Sequence, residues 1–208
     1  MSHTQCFIDY YHQRFWATDH SSSGPNSTLE HTVLLRSRLK SLIQKLRPRS
    51  ILDLGCGDAN LFWEMDLEKM GPSRAYPIEY TGFDCVPDLI LQTQKKYQDR
   101  PHMHFDCKDI LTEPLPPADL ILCRDVTHYL PNDLITQLLE NIRRSQTKTG
   151  QTHLLITHNL YSSLSANDVT VLGIFRPVNL TYPPFSWPMP LEILEEDVYG
   201  KALALFKL

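Results

Sequence analysis

Between Pro131 and Arg144 the apolar residues Leu134, Ile135, Leu138, Leu139 and Ile142 recur at three- and four-residue intervals, the spacing of one helical face. Pro131 suits a first turn and Asp133 suits the positive end of a helix dipole, so a helix is predicted over Pro131–Arg144. Similar spacing predicts a helix over Leu29–Leu46. Its inner stripe would be Val33, Leu34, Leu39, Leu42, Ile43 and Leu46, opposite a solvated face bearing Arg36, Arg38, Lys40, Lys45, Arg47 and Arg49. Further helices are expected at Asn60–Met70 and Pro87–Tyr97. Short apolar runs predict strands at Ser50–Leu54, Tyr80–Asp84, Met103–Cys107, Asp119–Cys123, Thr152–Thr157 and in the terminal KALALFKL. Strands and helices that alternate in this way imply an α/β fold with parallel strands and right-handed crossovers.

After Thr157 the alternation weakens. Pro177, Pro183, Pro184, Pro188 and Pro190 exclude a long helix there, which leaves mostly shaped loop before the last strand. A chain of 208 residues that is 42% hydrophobic suits a single domain with one large core. The expected division is an N-terminal cap over 1–28 and a core over 29–208, joined through His20–Pro25, HSSSGP, read as a flexible loop. Tyr10, Tyr11, Phe15 and Trp16 form an aromatic cluster that either covers a pocket or packs as core.

The segment with the most chemical content is SILDLGCGDAN, Ser50–Asn60, followed by YTGFD, Tyr80–Asp84. Gly55 and Gly57 supply a turn tight enough for backbone to touch a ligand, and Asp84 closes the next strand, where a carboxylate can accept hydrogen bonds from both ribose hydroxyls. The alternative for Asp84 is to cap the approach to the next helix. A dinucleotide fingerprint needs a third small residue where this chain has Asn60, so NAD is disfavoured.

The run Asp53, Gly55, Gly57 and Ala59 resembles motif I of the class I S-adenosylmethionine (SAM) methyltransferases, with alanine at its last glycine. Five segments extend the resemblance to a group of small bacterial methyltransferases: Ser23–Thr32, Leu54–Trp63, Pro114–Asp125, Phe175–Pro190 and Tyr199–Leu208. That group carries a histidine one position after His128, where this chain has Tyr129. The resemblance implies a Rossmann-like, mostly parallel seven-stranded sheet with an antiparallel C-terminal hairpin, and a shortened or lost helix before it. It also implies SAM as cofactor and S-adenosylhomocysteine as product. On this basis Asp53, Gly55, Cys56, Gly57, Asp58, Asn60, Asp84, Cys85, Asp109, Ile110, Cys123 and Arg124 are the expected cofactor-binding residues, with Asp84 on the ribose and Asp109 on the adenine.

Because ligands of open α/β sheets sit beyond the carboxyl ends of the strands, Cys123–His128 and Thr157–Tyr161 are expected near the reaction. A methyl group on a sulfonium is already activated, so the protein's task is to position a nucleophile and exclude water, with no metal needed. For a hydroxyl acceptor, His128 is the candidate base and Asp125 its companion; the plainer reading of His128 is a hydrogen-bonded structural histidine. Arg124 and Asp125 are either an ion pair or ligand contacts. His158, Asn159, Arg176 and Asn179 are candidate substrate-binding residues, with Asn167 and Asp168 nearby, although an arginine in such a loop commonly ties backbone carbonyls together.

A net charge of −4 gives no general attraction to nucleic acid, and Cys123-Arg124-Asp125-Val126 lacks the Asn/Asp-Pro-Pro-aromatic motif of nucleic-acid amino methyltransferases. Cys6, Cys56, Cys85, Cys107 and Cys123 show neither disulfide nor zinc spacing, and no membrane span or secretory leader is legible. The sequence therefore points to a cytoplasmic enzyme that methylates a small molecule or sugar hydroxyl. A protein side chain is the alternative acceptor, and a non-catalytic SAM-binding module the alternative class.

Overall fold

The computed structural model describes residues 2–72, 76–147, 150–161, 171–197 and 200–208, and among them seven strands are interspersed with helices, β3 passing to β4 and β6 to β7 without one. The strands are β1 (Ser50–Leu54), β2 (Glu79–Asp84), β3 (Met103–Cys107), β4 (Leu120–Cys123), β5 (His153–Asn159), β6 (Glu192–Glu195) and β7 (Lys201–Lys207). Their order in the sheet is β3-β2-β1-β4-β5-β7-β6. This is the mixed, Rossmann-like arrangement expected, with an antiparallel β6–β7 hairpin at the C-terminus. The chain divides into two compact units, Met1–Asp109 and Ile110–Leu208.

In the first unit β1 and β3 flank β2 in parallel, with Leu54 beside Phe83 and Asp84 beside Cys107. Around them lie the helices α1 (His3–His12), α2 (Val33–Leu46), α3 (Leu67–Met70) and α4 (Pro87–Lys96). Buried Ile51, Leu52, Leu54, Tyr80 and Phe83 form the centre of the core. Tyr80 joins rings on both sides, with centroids 4.8 Å from Phe62 and 5.5 Å from Phe105.

Two expectations for this unit need correction. Helix α2 begins at Val33 and buries Leu35, Leu39, Leu42 and Ile43, whereas Val33 and Leu34 are exposed. The i, i+4, i+7, i+8 series running from Leu35 is the true inner face, and Leu29–Thr32 forms turns ahead of it. The helix expected over Asn60–Met70 is instead a 3-10 turn at Asn60–Phe62 and the short α3. Asp66 explains the break, because its side chain accepts from the Lys69 N–H and caps a new helix within the apolar run.

In the second unit β4 and β5 are parallel, and β5 continues into antiparallel pairing with β7. Helix α5 (Asn132–Arg144) follows the predicted stripe, with Ile135, Leu138, Leu139 and Ile142 buried. Its buried Asn141 donates to the Ile110 and Glu113 carbonyls. Trp187 is buried edge-on against Phe206 at 5.1 Å, so it is a core residue. Asn167, Asp168 and any helix over 162–170 lie outside the described residues. Among the described residues no helix is long and apolar enough to cross a membrane.

Candidate functional site

In the first unit the carboxyl ends of β1 and β2 bring the glycine turn and Asp84 together. Gly55 and Gly57 adopt φ of +74° and +57°, and Ala59 takes the same left-handed conformation at +53°. Alanine thus holds a backbone shape in which glycine would be relaxed, which accounts for the small residue at the end of the motif. The Asp84 carboxylate is half-buried, accepting from the Gly57 N–H at 3.1 Å and the Val86 N–H at 3.1 Å. Burial pushes its pKa up, against those two backbone hydrogen bonds. Asp84 therefore ties the glycine turn to β2 and holds the backbone at Val86, the residue ahead of α4, while α4 itself carries no side-chain cap.

Asp53 points inward and accepts from the buried Tyr80 hydroxyl at 2.7 Å. Tyr80→Phe removes this charge-assisted bond from the core, and a loss of about 1.5–3 kcal/mol in denaturant unfolding is expected. Unchanged stability would show that Asp53 is satisfied without it.

Behind the turn, Lys96 donates to the Asp58 carbonyl and to Asn60 Oδ1, with its ammonium 5.0 Å from the centroids of the Trp63 and Tyr97 rings. In front of it lies the serine run expected to be a flexible loop. Ser21 Oγ and the Ser22 N–H donate to Asp58 Oδ2, and Ser23 Oγ accepts from the Asp58 N–H. This segment is therefore pinned to the glycine turn: the short hydroxyls fit the polar groups that a left-handed turn leaves outside secondary structure. The Cys56 thiol, buried beside the turn, is pushed well up in pKa by burial and by the neighbouring acids. Burial likewise raises Cys85.

Asp109, after β3, is bonded to His3 Nε2 of α1 at 2.9 Å. No residue of α1 is buried, so the N-terminal aromatics are not core. They stack on one another, Tyr10 against Phe15 at 4.6 Å and edge-on to Trp16 at 5.1 Å.

In the second unit the loop after β4 holds Arg124, Asp125 and His128, while Cys123 and Ile110 are buried apolar positions. Asp125 adopts φ +58°, strained for a residue with a Cβ, and its N–H donates to Thr157 Oγ1 at 2.7 Å. Its Oδ2 meets Lys201 Nζ at 2.7 Å and Arg124 at 3.1 Å, while Arg124 and Lys201 both reach Glu196, at 2.7 and 3.2 Å. Burial pushes the Asp125 pKa up, but the two cations outweigh it and hold the group at about 2. The ion-pair reading of Arg124 and Asp125 thus holds, with two members that the sequence did not reveal. A lysine inside the apolar KALALFKL was the available signal for Lys201.

His128 is fully buried in a 3-10 turn, Thr127–Tyr129, and among the described residues neither of its ring nitrogens has a hydrogen-bond partner. The reading of a hydrogen-bonded structural histidine thus finds no protein partner for the ring among the described residues. Burial lowers its pKa to about 4, opposed by Asp125 and reinforced by Lys201, Arg176 and Arg124. Asp125 Oδ1 and Thr127 Oγ1 are also buried without a partner among the described residues. The half-exposed Phe175 stands perpendicular to the imidazole at 5.0 Å.

The remaining candidates have local partners. Arg176 is buried and donates to the Leu130 carbonyl at 2.9 Å and to Asn132 Oδ1 at 2.7 Å, so the backbone-tying alternative describes its position. Asn179 donates to the Asn159 carbonyl, and its own oxygen accepts from Thr181. His158 is buried in β5, its Nδ1 has no partner among the described residues, and burial lowers its pKa to about 4. Among the described residues no cluster of His, Cys, Asp or Glu has metal-binding geometry, and the described cysteines are free thiols.

No curated protein matches the chain. Residues 52–151 match the family described as a methyltransferase domain. Among solved structures, the N-methyltransferase NodS from Bradyrhizobium japonicum WM9 in complex with S-adenosyl-L-homocysteine aligns at 17% identity over 99% of this chain and 98% of that one, with a TM-score of 0.64. The DhpI complex with SAH aligns at 15% identity over 99% and 97%, TM-score 0.62. Magnesium protoporphyrin IX methyltransferase from Synechocystis PCC 6803 aligns at 13% identity over 99% and 96%, TM-score 0.59. These likenesses establish a methyltransferase-type Rossmann-like fold, and residues 52–151 within it match a methyltransferase domain.

Proposed function

We propose that this enzyme transfers the methyl group of SAM to a hydroxyl on a small molecule or sugar, within one methyltransferase domain whose residues 1–28 act as a cap. The observation that carries the acceptor assignment is His128, wholly buried with both ring nitrogens unpartnered among the described residues. A buried polar group without a partner is costly to fold around, and its retention is accounted for if an acceptor completes its hydrogen bonds. Small-molecule acceptors also accord with the names of the similar structures, one of which is a magnesium protoporphyrin IX methyltransferase.

The residues of the first unit suit the cofactor. Carboxylates are acceptor-only when ionised, which matches the hydroxyls of a ribose at Asp84 and the amino group of an adenine at Asp109. The positive-φ turn at Gly55 and Gly57 lets backbone approach the amino-acid end, with Asp58 and Asn60 beside it. SAM supplies an electrophilic methyl group on a sulfonium. In the second unit neutral His128 accepts a hydrogen bond from the acceptor hydroxyl and takes its proton as the oxygen is methylated, and ionised Asp125 stabilises the imidazolium that results.

Two measurements test this reading. Asp84→Ala should weaken SAM binding in calorimetry by about 1–3 kcal/mol, and affinity equal to the parent's would remove the ribose assignment. Incubation of the parent with SAM and a cell extract should yield S-adenosylhomocysteine above background and a product whose new methyl sits on oxygen. A methylated protein as the sole product would replace the small-molecule acceptor.

A further inference from the structure

Four charged side chains in the second unit form a closed ring of ion pairs. Arg124 and Asp125 come from the loop after β4, Glu196 follows β6, and Lys201 begins β7. All but Asp125 are nearly buried, with side-chain exposures of 8% for Arg124 and Lys201 and 5% for Glu196. Such a ring adds little net stability compared with apolar packing, so its presence calls for another account. Its geometry supplies one. Lys201 and Arg124 both engage Oδ2 of Asp125, while Oδ1 is buried and has no partner among the described residues. The Asp125 backbone is itself fixed, at positive φ, by its bond to Thr157. His128, equally unpartnered, follows three residues later, and the Arg176 N–H donates to its carbonyl at 3.0 Å.

We propose that Glu196 and Lys201, on either side of the β6–β7 turn, are positioning residues for methyl transfer: they clamp one oxygen of Asp125 so that its other oxygen and the His128 imidazole together receive the hydroxyl of the acceptor. This rests on the reading of His128 and Asp125 as the acceptor end. Charge favours a neutral hydroxyl over an ammonium group. The groups facing His128 are Asp125 and Arg124 from the loop after β4, Lys201 from β7 and Arg176 from the segment after 171, so cations outnumber anions around it. Glu196 lies one ion pair further out and balances Arg124 and Lys201. Phe175, perpendicular to the imidazole and half-exposed, offers an apolar wall to the body of the acceptor.

The test uses the full-length protein and three variants, Lys201→Met, Lys201→Arg and Glu196→Gln, each first checked for parental SAM affinity by calorimetry. The His128 imidazole is then titrated by NMR. Loss of the Lys201 cation leaves Asp125 a stronger electrostatic partner, so Lys201→Met should raise the His128 midpoint by about one pH unit or more, whereas Lys201→Arg should keep it near the parent's. Glu196→Gln removes an anion, leaves the cations in excess and should hold the midpoint at or below the parent's. A merely loosened, wetter pocket would instead raise the midpoint in Lys201→Met and Glu196→Gln alike, and that result, or an unmoved midpoint in Lys201→Met, overturns the proposal. Transfer of tritium from methyl-labelled SAM into a cell-extract acceptor pool should fall at least about tenfold in Lys201→Met and recover in Lys201→Arg. A loss that arginine does not repair also counts against positioning. Absence of transfer by the parent, with the NMR pattern as expected, would overturn the acceptor reading while leaving the clamp intact. If Lys201→Met fails to fold, the signs for Lys201→Arg and Glu196→Gln still decide the electrostatic part.

Discussion

Gly57→Val should lower SAM affinity by about 100-fold or more, roughly 3 kcal/mol at 1.4 kcal/mol per factor of ten. Three effects act in the same direction. The residue sits at φ +57°, a conformation that opposes a β-branched side chain. A Cβ built there would clash with Ser23 Oγ, so the serine segment that donates to and accepts from Asp58 must move. The Gly57 N–H also donates to Asp84 Oδ2, so rearranging the turn displaces the carboxylate assigned to the ribose. Gly150→Ala provides the control. Its φ is +63° but nothing lies within 4 Å of the added carbon, so it should show only the modest backbone penalty in a thermal melt and bind SAM like the parent. Calorimetry with SAM on both variants checks the pair, and equal affinities would show that the turn's shape does not matter to the cofactor.

Six strands were legible because each is a short apolar run with a polar or glycine-rich boundary; β1 and β3 fall on the residues expected, β2, β4, β5 and β7 differ by one or two at an end, and β6 had no expected range of its own. Helix α5 was equally legible from its stripe. The helices that failed share one cause. In Leu29–Leu46 and Asn60–Met70, apolar residues are dense enough to fit more than one helical face, and local side-chain bonds decided the outcome: Asp66 at the Lys69 N–H, and Thr32 Oγ1 donating to the Thr28 carbonyl before α2. The glycine turn and Asp84 were readable because their chemistry is local to two strand ends. The serine segment was not, since hydrogen bonds from Ser21 and Ser23 to Asp58 span more than 30 residues and leave no periodic trace. For the same reason Glu196 and Lys201 stayed hidden, one following a short strand and the other opening an apolar one, more than 70 residues from their partners Arg124 and Asp125.

His128→Ala should leave SAM affinity unchanged and lower turnover by about 100-fold, toward the lower end of what a positioned base contributes. The lower end is expected because burial and three nearby cations hold the imidazole at a pKa of about 4, which makes it a weak base at neutral pH although it is fully in its neutral, active form. This changes the expected pH profile. An ordinary histidine near 6.5 would give a rate that rises between pH 6 and 7. For this buried group the rate should instead be flat from pH 8 down to about 5 and fall only as the pH passes through 4. Stability follows the same displacement with a definite sign. The unfolded chain binds a proton at His128 below about pH 6.5 while the folded chain resists until about 4, so the folded state loses stability as pH falls between those values, by up to roughly 3 kcal/mol from this residue. His128→Ala removes that dependence, so its stability should decline less than the parent's between pH 6.5 and 4 in denaturant unfolding. Rate profiles of the parent with the identified acceptor decide the matter: a limb near pH 6.5 that disappears in His128→Ala would show that the imidazole is solvated during turnover, and a change in rate of only a few-fold would show that positioning and exclusion of water suffice without a base.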